Sequence, residues 1–79
     1  MKEYNIKLTS LDDVKGLVDA SVSAPYEIDL SQGRYIINGK SQLGVLSLDL
    51  SSSIKLIIHC DNDEDILPFV KKIDKIILR

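Results

Sequence analysis

Gly39-Lys40-Ser41 has the residue trio that closes a nucleotide-binding loop, and an apolar run follows it. A phosphate-cradling P-loop needs Gly-x-x-x-x-Gly-Lys-Ser/Thr between a strand and a helix, so that its amides converge on the phosphates. Arg34 stands where the first glycine should be, and Gly33 comes one residue too early. The reading fails. Ser41 is instead expected to cap a short helix, its oxygen accepting an orphan amide hydrogen bond worth about 1 kcal/mol. An exposed serine at a helix start is also a sound phosphorylation site, so Ser41 is a candidate for regulatory modification.

Ser10-Leu11-Asp12-Asp13 has the form of a capping box, with a serine at the cap and an acid three residues on. A free helix N-terminus attracts phosphate, but here two carboxylates occupy that niche themselves. His59 is the only histidine and is expected to face outward from a strand. Cys60 beside it is expected to point into the core, as free cysteine usually does. The pair supplies too few ligands for a metal. The run Asp61-Asn62-Asp63-Glu64-Asp65 lacks the glycine and terminal glutamate spacing of an EF-hand loop, so it reads as charge at a helix start. No nucleophile–base pair or paired-carboxylate site stands out. The sequence therefore predicts no enzyme and implies no cofactor and no metal.

Seventy-nine residues make one domain, 1–79, near the lower limit for an unaided hydrophobic core. Hydrophobic residues make up 44% and charged residues 28%, the balance of a compact soluble protein. A net charge of −2 and few aromatics disfavour a nucleic-acid partner. One cysteine excludes an intrachain disulfide and suits a reducing interior. With no signal-peptide block and no run of membrane-spanning length, the expectation is a cytoplasmic domain without membrane contact.

The elements that must position these residues follow from periodicity. Tyr4, Ile6 and Leu8 alternate with polar residues as in a first strand. Ser10 opens a helix with Leu11, Val14, Leu17 or Val18, and Ser21 or Val22 at helical spacing, while Asp12, Asp13, Lys15 and Asp19 lie elsewhere on the wheel. Pro25 stops it, and Tyr26, Ile28 and Leu30 begin a second strand. Ser31 to Arg34 is a turn, and Tyr35 to Ile37 returns as a third strand. Residues 42–50 read as a short helix with Leu43, Leu46 and Leu50 clustered and Val45 flanking. Ile54 to Cys60 is a fourth strand, with Leu56, Ile58 and Cys60 inward. A last helix carries Ile66, Phe69, Val70, Ile73, Ile76 and Ile77, and Pro68 asks that it start near 64–66. The order βαββαβα predicts an α+β open-faced sandwich: a four-stranded, mostly antiparallel sheet with helices on one face.

The stretch GKSQLGVLSLDL resembles the Lys-Ser-x-x-Gly-Val-x-Ser-Leu segment of the histidine-containing phosphocarrier (HPr) family of the sugar phosphotransferase system. The likeness rests on Lys40, Ser41, Gly44, Val45, Ser47 and Leu48, and it extends without a gap over most of the chain. The turn SQGR, the strand SIKLIIHC and the acidic segment DNDED fall where that family has equivalents, and the element order is the same. The resemblance implies that Ser41 matches the serine a regulatory kinase modifies in Gram-positive members. It implies that residues matching Leu43 and Leu46 form a docking face. Gln42 departs from the apolar residue usual at its place.

The family relays phosphate through the histidine of Gly-Ile-His-Ala-Arg-Pro-Ala at the start of its first helix. Aligned without gaps, that segment falls on LTSLDDV, so Ser10 stands at the place of the histidine and Asp12 at that of the arginine. Imidazole is a good nucleophile near neutral pH and phosphoimidazole a ready donor, whereas a serine hydroxyl needs an activating base and its phosphoester donates poorly. An arginine clamps phosphate oxygens; Asp12 repels them. The expectation is a degenerate HPr-like domain that binds a protein partner, such as a phosphotransferase-system or regulatory protein, without relaying phosphate. The alternative is a phosphocarrier whose acceptor has moved, with His59 the only imidazole available.

Overall fold

The computed structural model describes residues 1–79. Strand β1 (Lys2–Ile6) leads to helix α1 (Leu11–Ser23), hairpin β2 (Ile28–Gln32) and β3 (Tyr35–Asn38), helix α2 (Gln42–Leu46), strand β4 (Ile54–Ile58) and helix α3 (Asp63–Lys72). A single 3-10 turn, Asp74–Ile76, follows. The sheet runs β1-β4-β2-β3 and every pairing is antiparallel. Placing β4 between β1 and β2 sends the chain across the sheet twice, by way of α1 and α2. The result is an α+β open-faced sandwich.

Period-2 alternation decides which face the helices cover. Register aligns Tyr4, Leu56, Leu30 and Ile37 in one row across the sheet. Leu30 and Leu56 in that row are buried, as are Ile6, Ile28, Ile54 and Ile58 on the same face. Against it pack Val14, Leu17, Val18 and Ala20 of α1, Val45 of α2, and Ile66 and Phe69 of α3. Each Val, Leu, Ile or Phe side chain among them contributes about 1.5–3 kcal/mol when fully buried, which is what lets so short a chain hold one fold. The opposite face keeps Glu3, Lys55 and Asp29 in solvent contact, with an ion pair between Lys55 and Glu3 at 3.7 Å.

Several boundaries differ from those the sequence suggests. The β2–β3 loop is only Gly33-Arg34, because Ser31 and Gln32 pair with Ile36 and Tyr35. Gly33 takes φ 59° and is the only residue with positive φ, which a two-residue turn of the II′ kind requires at its first position. Helix α2 stops at Leu46, not at residue 50. The Ser47 hydroxyl bonds back to the Gly44 carbonyl at 2.6 Å, and the Gln32 amide group holds Asp49 through its backbone N–H and C=O, both at 2.8 Å. Val45 is its one buried residue and Leu48, just beyond the helix, is buried too, while Leu43 points away.

In α1 the buried stripe includes Asp13, while Leu11 and Val22 face solvent. Strand β4 ends at Ile58, and Cys60 beyond it is half-buried at the core margin rather than inside it. Helix α3 starts at Asp63, where Asn62 caps it, so Pro68 lies in its second turn. The missing proline N–H falls on the helix's exposed side, where water can serve the Glu64 carbonyl. The last helix also does not reach Ile77. Ile73 leaves helical geometry (φ −111°, ψ 14°), and Ile77 forms a bridge to Ile6 at the outer edge of β1.

Candidate functional site

Ser10 sits at the N-cap of α1 in extended geometry (φ −151°, ψ 165°), and its Oγ accepts the Asp13 N–H at 3.1 Å. The carboxylate of Asp13 does not complete the box on Ser10. It reaches one residue further back, accepting from Thr9 N at 3.0 Å and Thr9 Oγ1 at 2.9 Å. Its other oxygen pairs with Lys75 Nζ at 3.0 Å. Asp13 is only 7% exposed. The backbone hydrogen bond from Thr9, reinforced by Lys75, lowers its pKa from 3.8 to about 2 against the opposing effect of burial.

Here Ser10 and Asp13 come together as the sequence suggests, but with Thr9 and Lys75 as partners no periodicity revealed. Asp12 lies exposed in the same turn without an ion pair. A cleft of about 370 Å³ opens between this helix start and the chain end, lined by Lys7, Thr9, Ser10, Asp13, Lys75, Ile76, Ile77 and Leu78. Lys7 Nζ bonds the neutral Ser51 carbonyl at 2.7 Å, whereas Lys75 is paired with the Asp13 carboxylate. A carboxylate with pKa near 2, bonded to Thr9 and Lys75 rather than to the Ser10 hydroxyl, is a poor general base toward it.

The second region is α2. Ser41 caps it as expected, its Oγ accepting Gly44 N at 3.1 Å. Gly44 is part of the arrangement: a Cβ there would lie 3.1 Å from Ser41 Oγ and 3.3 Å from Ser41 Cβ. Ser41 is exposed, Leu43 is 83% exposed and Leu46 is 39% exposed, while Val45 one step round the helix is fully buried. One turn and a half thus divides its apolar residues between core and solvent.

His59 faces outward, as alternation predicts, but it is not partnerless. Its Nε2 lies 2.7 Å from Asp29 Oδ2 on β2. Asp29 sits between buried Ile28 and Leu30 and must point to the open face; only the sheet register, which puts β2 beside β4, brings the two together. His59 follows the end of β4 opposite Lys2, whereas Ser10 follows the other end of β1. Roughly 13 Å of strand separates the two regions. Cys60 Sγ approaches the Asn62 carbonyl at 3.8 Å. The acidic run is splayed by its own contacts: Asp61 pairs with the Met1 amino group, Asp63 with Lys2, and Asn62 caps α3 through Glu64 N and Asp65 N. No family model matches the chain, and no curated protein matches it either.

Proposed function

We propose that this chain is a protein-docking module of the HPr type from which the phosphate relay has been lost. In this reading α2 is the contact element, Leu43 and Leu46 its anchors, and Ser41 the residue whose phosphorylation changes the face. The observation that carries the proposal is the occupancy of the α1 start. Where the family resemblance would put the acceptor histidine, the Ser10 oxygen is committed to an amide, and a buried carboxylate is fixed just behind it. An arriving phosphoryl dianion would meet the carboxylates of Asp12 and Asp13 in the first turn of the helix.

Exposure of Leu43 supports the docking half. A leucine left almost wholly in water beside a buried valine gains nothing in the folded monomer and gains on association. The single cysteine fits a reducing compartment such as the cytoplasm. The experiment has two arms. With phosphoenolpyruvate and the first phosphotransferase enzyme, intact mass should show no acid-labile phosphate. With immobilised protein, a partner held by the wild type should be lost to Leu43→Asp, whose melting temperature should match the wild type.

A second reading has one observation in its favour. Asp29 binds Nε2 of His59 and so leaves Nδ1 as the free nitrogen, the arrangement that orients an imidazole for nucleophilic attack. Acid-labile labelling that disappears in His59→Ala would replace the first reading with this relocated carrier.

A further inference from the structure

The two edges of the sheet are treated differently. At β1 the chain's own end closes the edge: Lys7 N donates to Ile76 O at 2.9 Å, Leu78 N to Asn5 O at 2.8 Å, and Ile77 bridges Ile6. At β3 nothing does. The Gly39 N–H donates to Ile28 O at 2.8 Å, which places Gly39, and by alternation Ile37 and Tyr35, with their backbone groups toward β2. The N–H and C=O of Ile36 and the N–H of Asn38 therefore point off the sheet. Tyr35 and Ile36 are 69% and 68% exposed. An open edge carrying large apolar side chains is what soluble proteins ordinarily avoid.

We propose that the β3 edge is a strand-addition site for an extended acidic peptide segment of a partner protein. Charge selects this occupant. Arg34 and Lys40 flank the strand, one in the turn at each end of it, and neither has an ion pair. Two of the nearby carboxylates are engaged elsewhere, Asp29 with His59 and Asp49 with Ser51 and Ser52, and Glu27, next to Ile28, is left to face Lys40 alone. A second copy paired edge to edge would line four cations along one seam, whereas an acidic peptide would neutralise two. Main-chain bonds to Ile36 and Asn38 supply the attachment, Tyr35 and Ile37 meet alternate side chains on the helix-side face, and the two cations set the preference for acid.

The probe is the blocked peptide acetyl-Glu-Val-Thr-Val-Thr-Val-Glu-amide, whose terminal acids match the spacing of Arg34 and Lys40. Its counterpart has lysine at both ends. Amide NMR titration should show the Ile36 and Asn38 resonances shifting and gaining exchange protection with the acidic peptide alone. Arg34→Glu/Lys40→Glu should weaken that binding about tenfold or more. Ile36→Pro should abolish it with the sheet intact, because the deleted N–H faces away from β2. Unmoved Ile36 and Asn38 amides, or equal binding of the lysine peptide, would overturn the assignment. Protection that rises with protein concentration in the absence of peptide, with a doubled mass in sedimentation, would overturn it in favour of a homodimer.

Discussion

Asp13 carries two duties at the start of α1. As third residue of α1 it supplies the backbone N–H that Ser10 caps, and as a carboxylate it ties Thr9 and Lys75 together. An acid this buried is tolerated because it receives two hydrogen bonds and one cation. Its folded pKa, about 2, lies below the 3.8 of the unfolded chain. The stability it adds is therefore complete above pH 4 and is lost as pH falls through 2. Asp13→Asn should cost on the order of 1–2 kcal/mol at pH 7 in urea unfolding, with wild type and variant converging near pH 2. A constant difference across that range would mean packing, not charge, is what the substitution removes. Thr9→Val should reproduce only part of the loss, since the backbone donor remains.

At the scale of elements, α2 and α3 show which local rules the tertiary structure obeyed and which it overrode. The Ser41 cap was legible because a serine before an apolar run is a local signal, and Gly44 completes it. Ser41→Ala should cost about 1 kcal/mol. Gly44→Ala places a methyl against the same oxygen, so the double variant should be less destabilised than the sum of the singles in chemical unfolding. The helix end was not legible, because it depends on Gln32 of a distant hairpin holding Asp49. Likewise Leu43 and Val45 are both apolar, and only the docked orientation of α2 decides that Val45 goes inside. In α3 the proline rule placed the helix start too late; the capping residue Asn62 won, and Pro68 was carried in the second turn on an exposed side. Pro68→Ala restores a donor for the Glu64 carbonyl and should raise the urea midpoint by an amount equivalent to about 1 kcal/mol, the unfolded-state entropy of proline offsetting part of the gain.

For the molecule as a whole, sheet order is the feature that separates its surfaces. Alternation and element order sufficed to predict four strands with helices on one face, because each burial pattern is written locally. Register is not local, and it alone creates the His59–Asp29 pair and keeps it at the far end of the sheet from Ser10. The same order leaves β1 and β3 at the margins, and the chain end seals only the first. The isoleucines that extend the helical pattern past Lys72 serve that purpose: Ile73 and Ile76 enter the core, and Ile77 turns outward to bridge Ile6. A chain ending at Ile76 would lose the Ile77 bridge and the Leu78–Asn5 hydrogen bond while keeping every core side chain that is fully buried. It should remain folded by circular dichroism, melt a few degrees lower, and self-associate through β1 at concentrations where the full chain is monomeric. If instead the truncated chain stays monomeric and melts unchanged, the C-terminal segment is not the seal of that edge, and the contrast between the two margins of the sheet loses its physical basis.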